Sequence, residues 1–109
     1  MRLMNALPAV LEEHLSEIRA LCEKYRVKRL AVFGSAVKGT FDPERSDVDF
    51  VVEFLPMRGV ERWDAFFDLK FALADLMNRH VDLVVKSAIR NPLFRESVEE
   101  AERDLYAAA

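Results

Sequence analysis

A chain of 109 residues is long enough for one hydrophobic core and too short for two, so a single domain over residues 1–109 is expected. Hydrophobic residues make up 51% and charged residues 32%, as is ordinary for a soluble globular chain. The net charge of −3 argues against a dedicated nucleic-acid binder, whose surface would be basic.

From about Pro8 to Arg26 the apolar residues Val10, Leu11, Leu15, Ile18, Leu21 and Tyr25 recur at helical spacing, which predicts one helix. Glu12, Glu13 and His14 interrupt the apolar run that a signal peptide would need, and no segment approaches the roughly 18 apolar residues of a membrane span. Cys22 is the only cysteine, so no intrachain disulfide can form; a small buried thiol in a cytoplasmic protein is the simplest expectation. "RLAVFGS" reads as a strand, and "AVKGTFDPERS" holds the turn residues Gly39, Asp42-Pro43 and Ser46, with a short helical turn after Ser35.

"DVDFVVEF" alternates, so Val48, Phe50, Val52 and Phe54 share one face and Asp47, Asp49, Val51 and Glu53 the other. After Pro56 and Gly59, "VERWDAFFDLKFALADLMNR" predicts a long helix and "HVDLVVK" a third strand. Asn91-Pro92 then opens a last helix through about Tyr106. The order α-β-β-α-β-α gives an α/β (α+β) fold with a three-stranded mixed sheet and helices packed mainly on one face. A helical crossover makes strands two and three parallel neighbours, and a short loop suits an antiparallel first pair. Glu53 and Lys86 suggest that the other face is at least partly open.

Asp47 and Asp49 are expected to project from one face of their strand, about 7 Å apart along the backbone, and two carboxylates that close repel unless a cation or donor compensates. Asp82, on the neighbouring strand between Val81 and Leu83, can stand beside them. Oxygen ligands favour a hard ion such as Mg²⁺, and three carboxylates can hold two such ions about 3.5–4 Å apart for phosphoryl chemistry. Gly34 lets backbone N–H groups approach an anion, Ser35 can donate to a phosphate oxygen, and Lys38 and Arg45 can offset triphosphate charge. His14 and His80 have no Cys or His partner at ligand spacing, which favours exposed or hydrogen-bonded structural roles.

"FGSAVKG", "SDVDFVV" and "HVDLVV", in that order between Leu30 and Lys86, resemble the signature of the DNA polymerase beta-like nucleotidyltransferase superfamily. The size resembles its minimal nucleotidyltransferases, the MNT antitoxins paired with HEPN toxins. The resemblance implies a nucleotidyltransferase fold and transfer of a nucleotidyl group from a nucleoside triphosphate, ATP in this case, to a hydroxyl. It assigns Gly34 and Ser35 to phosphate binding and Asp47, Asp49 and Asp82 to the metals. It names a HEPN-type toxin as partner and one of its tyrosines as acceptor of AMP. Many relatives carry arginine where this chain has Lys38, which weakens a bidentate phosphate contact. The acceptor-binding domain of larger relatives is lacking, so the acceptor is expected to come with the partner.

Two other readings stand beside this one: an antitoxin that occludes its toxin without catalysis, and transfer to a small molecule such as an aminoglycoside. Trp63, Phe66, Phe67, Leu69, Phe71, Leu73, Leu76 and Met77 wrap more of the long helix than a one-sided core needs. That width predicts a partner surface, homo- or hetero-oligomeric, on the 60–79 helix.

Overall fold

A computed structural model describes residues 7–38, 41, 42, 44 and 47–108. Two short helices lead the chain, α1 (Ala9–Glu12) and α2 (Leu15–Lys24), where the apolar spacing predicted one. The break lies at His14, whose Nδ1 donates to the Val10 carbonyl at 2.8 Å, while its own backbone N–H turns to Leu11 O at 3.2 Å. The ring thus competes for the carbonyl that a continuous helix would use. Strand β1 (Val27–Phe33) is followed by the single turn α3 (Ser35–Lys38), then β2 (Val48–Phe54), the long α4 (Gly59–Met77) and β3 (Val81–Val85). Asn78, in the left-handed region at φ 50°, caps α4 and turns the chain into β3.

Among the described residues the sheet has four strands, not three, in the order β3-β2-β1-β4. As predicted, β1 and β2 are antiparallel and β2 and β3 parallel. The last helix, α5 (Pro92–Ala101), is capped by the Asn91 side chain, which accepts from Leu93 N and Phe94 N. It ends before Tyr106, and Arg103–Ala107 form β4, antiparallel to β1. Helix propensity favoured continuing the helix through this segment, and tertiary pairing overrides it. Leu105 drops into the core, its carbonyl accepts from Arg19 Nε at 3.0 Å, and Glu102 and Asp104 both reach Arg29.

Leu11, Ile18, Cys22, Leu30, Val48, Phe50, Val52, Leu69, Leu73 and Met77 form the main core between the sheet and α1, α2 and α4. Burial pushes the Cys22 thiol up to about 12, which makes it inert. On the other face Ala31, Val51, Ile89 and Val98 form a smaller cluster beneath α5. The helices therefore sit mainly on one face, and α5 partly roofs the second. Among the described residues no helix is long and apolar enough to cross a membrane.

On that second face Arg29 holds Glu53 (3.2 Å), Glu102 (2.5 Å) and Asp104 (2.5 Å), while Lys86 reaches Glu102 (3.2 Å) and Glu99 (3.6 Å). Burial would lower the Arg29 pKa, but hydrogen bonds to Asp104, Glu102 and Glu53 outweigh it and raise it above its ordinary value. Glu102 has a side chain only 9% exposed, so losing Arg29 would leave Lys86 to balance a nearly buried carboxylate. Arg29→Met should therefore lower stability by about 2–3 kcal/mol, less than a fully buried pair because Arg29 and Glu53 keep some water contact. Urea unfolding measures this, and a variant as stable as the parent would refute the role given to the network.

The apolar circumference of α4 divides in two. Ala65, Leu69, Leu73 and Met77 face the core. Trp63 (66% exposed) and Phe71 (59% exposed) flank Phe67 on the outside, with ring centroids 4.9 and 6.2 Å apart.

Candidate active site

The site grows from the ladder between β2 and β3. Parallel pairing sets Val48 opposite Val81 and Asp49 opposite Asp82, and Val48 N donates to His80 O at 3.3 Å. Alternation then sends Asp47 and Asp49 from one strand, and His80 and Asp82 from the other, to the same face. Their contacts run from Asp47 through His80 and Asp82 to Asp49. His80 Nδ1 lies 3.2 Å from Asp47 Oδ2 and 3.8 Å from Asp82 Oδ1. Asp49 stands beside Asp82, close enough to share a proton with it.

Asp49 shows the electrostatic consequence. Burial, the hydrogen bond to Asp82 and the charges of Asp82 and Asp47 push its carboxyl up to about 6, against a smaller opposing effect of His80. A cluster that holds a proton so far above the usual carboxylate range lacks positive charge. Its donors are carboxylate oxygens and one imidazole, and those of Asp47, His80 and Asp82 all lie within 4.8 Å of one another. This donor set fits a divalent cation.

Gly34 sits against the same group. It ends β1 in the left-handed region at φ +72°, and a Cβ built there would collide with Oδ2 of Asp49. Register explains the proximity, because Phe33 is the cross-strand partner of Asp49. Ser35 follows at the start of α3, half-buried, so the glycine-serine turn and the carboxylates share one end of the sheet. Phe33 meets Phe94 of α5 edge-on, with ring centroids 6.1 Å apart, which makes an apolar flank to the site. Arg45 and the side chain of Lys38, both predicted near the triphosphate, lie outside the described residues.

A family model described as nucleotidyltransferase domain matches residues 16–105, which contain every element of this site. The chain belongs to the nucleotidyltransferase family.

Among its relatives, "Putative protein adenylyltransferase MJ0128" of Methanocaldococcus jannaschii is 38% identical over 92% of this chain and 95% of its own length. "Protein adenylyltransferase MntA" of Thermococcus cleftensis is 31% identical over 89% of this chain and 91% of its own length. A solved "Structure of putative minimal nucleotidyltransferase" gives a TM-score of 0.71 at 30% identity, covering 85% of this chain and 90% of that one. A complex of tri-AMPylated Shewanella oneidensis HEPN toxin with MNT antitoxin contains a chain of the same fold, with a TM-score of 0.61 at 20% identity; 89% of this chain and 72% of that one are covered.

His80 of this nucleotidyltransferase is exposed, with Nδ1 3.2 Å from Asp47 Oδ2, where the sequence favoured an exposed or hydrogen-bonded structural role. What cysteine and histidine spacing missed is that its partners are the aspartates. The signal was the strand period: a residue two before Asp82 must face the same way.

Proposed function

We propose that this nucleotidyltransferase transfers AMP from ATP, with Mg²⁺, to a hydroxyl on a HEPN-type toxin, a tyrosine being the acceptor. The observation that carries the reading is that Asp49, which stands beside Asp82 and feels the charge of Asp47, also lies against Gly34. Support for AMP and for the partner comes from the adenylyltransferase relatives and from the AMPylated toxin bound by an MNT antitoxin.

Asp47, Asp49 and Asp82 would hold two Mg²⁺ ions, which when bound offset the charge that grows on the transferring phosphoryl group and its leaving group. The turn at Gly34 would take the triphosphate, with the Ser35 hydroxyl donating to a phosphate oxygen. Asp82 would accept the acceptor's proton. The hydroxyl oxygen bonds to the α-phosphorus, the bond from that phosphorus to the bridging oxygen breaks, and pyrophosphate leaves. The proton passes through Asp82 to solvent, so charge and atoms balance. Exposed Trp63 and Phe71 of α4, with half-buried Phe67 between them, form the surface on which we place a protein partner.

The test is to mix the chain with its toxin, ATP and Mg²⁺ and weigh the toxin intact. A gain of one or more AMP units is expected, lost with Asp47→Asn. Toxin silenced with no change in mass means occlusion instead.

A further inference from the structure

His80 stands among the carboxylates, not beside them. Its backbone carbonyl is fixed to β2 through Val48 N, so the ladder dictates where the ring emerges. The ring is 59% exposed, and its Nδ1 points at Asp47 Oδ2 and Asp82 Oδ1. We infer that His80 is a nitrogen ligand to the cation held by Asp47 and Asp82, and that it biases the site toward Mn²⁺ over Mg²⁺. This rests on the cation site proposed above, and it adds to three carboxylates a donor of a different chemical kind.

Geometry carries the inference. In an octahedral shell with ligands about 2.1 Å from the ion, adjacent donors are about 3 Å apart and opposite donors about 4.2 Å. The separations of 3.2 and 3.8 Å from Nδ1 to the two carboxylates fall in that interval. An ion shared by His80, Asp47 and Asp82 would then replace the His80–Asp47 contact. A ring nitrogen coordinates only without its proton. Mg²⁺ prefers oxygen and gives up its water reluctantly, whereas imidazole suits transition ions. A site of carboxylates plus one imidazole therefore gains more for Mn²⁺ than for Mg²⁺. His14 is a natural control, since it is bonded to Val10 at the junction of α1 and α2.

Mn²⁺ titration of the full chain, followed by electron paramagnetic resonance, tests this without turnover. The bound ion should show ¹⁴N coupling from a coordinated imidazole in the parent protein and in His14→Gln, and none in His80→Gln. His80→Gln should weaken Mn²⁺ at least about tenfold, with Mg²⁺, measured by competition, weakened less than about threefold. Mn²⁺ bound by the parent without ¹⁴N coupling, or bound equally well by His80→Gln, overturns the ligand assignment and leaves the cation site standing. If the parent binds Mn²⁺ no better than Asp47→Asn does, the cation site itself fails, and the inference with it. The coupling is read in the parent chain, so the answer does not depend on how well the variant folds.

Discussion

Asp49→Asn is expected to reduce nucleotidyl transfer on the order of a thousandfold while making the metal-free chain more stable at neutral pH. The two effects share one cause. An unfolded Asp49 titrates near its ordinary 3.8, and the folded one is pushed up to about 6, first by burial and then by Asp82 and Asp47. At pH below about 4 both states carry the proton and folding is unaffected by this group. Between about 4 and 6 the folded state keeps a proton that the unfolded state has lost, so stability falls as pH rises. Above about 6 the full penalty applies. Asparagine keeps the shape and removes the charge, so the slope over that window should vanish. Cation binding requires the carboxylate, so Mg²⁺ should raise the parent's melting temperature more at pH 7.5 than at pH 5. Melting curves between pH 4 and 8, with and without Mg²⁺, check all of this. Parallel pH slopes for parent and variant would sink the account of Asp49.

Gly34→Ala should lose on both counts. Alanine must adopt φ +72°, and its Cβ must share space with Oδ2 of Asp49. The left-handed backbone costs about 1 kcal/mol and displacing the carboxylate raises the total to roughly 2–3 kcal/mol. A carboxylate moved by about an ångström should cost on the order of a hundredfold in transfer. A double-mutant cycle separates the two causes. In an Asp49→Ala background the alanine at 34 should cost only the backbone strain. An equal loss in both backgrounds would mean that Asp49 is not why a glycine stands there.

The parts of this site that could be read from sequence are those set by strand period and by chain connectivity. Two aspartates at i and i+2 must face one way, and a helical crossover makes the strand bearing Asp82 a parallel neighbour, which is how the ladder runs. Gly34 was legible as a point of close approach, but the approaching group is Asp49 as well as any anion. His80 meets Asp47 and Asp82 across paired strands, and spacing along the chain does not mark such a cluster. β4 escaped because its segment has good helix formers, and what makes it a strand is the distant Arg29 and the free backbone groups of β1. The break at His14 arises from one side chain capturing one carbonyl, which periodicity does not encode.

The position of β4 has a consequence during synthesis. Residues 103–107 pair with residues 29–32, so a nascent polypeptide that has emerged only as far as α5 leaves the outer backbone groups of β1 unsatisfied. Such an intermediate offers a hydrophobic strand to any other incomplete copy on the same polysome, the contact from which aggregation starts. Closure arrives late. Arg29 must wait more than seventy residues for Glu102, so the ion-pair network serves as a latch that shuts only when the last strand is in hand.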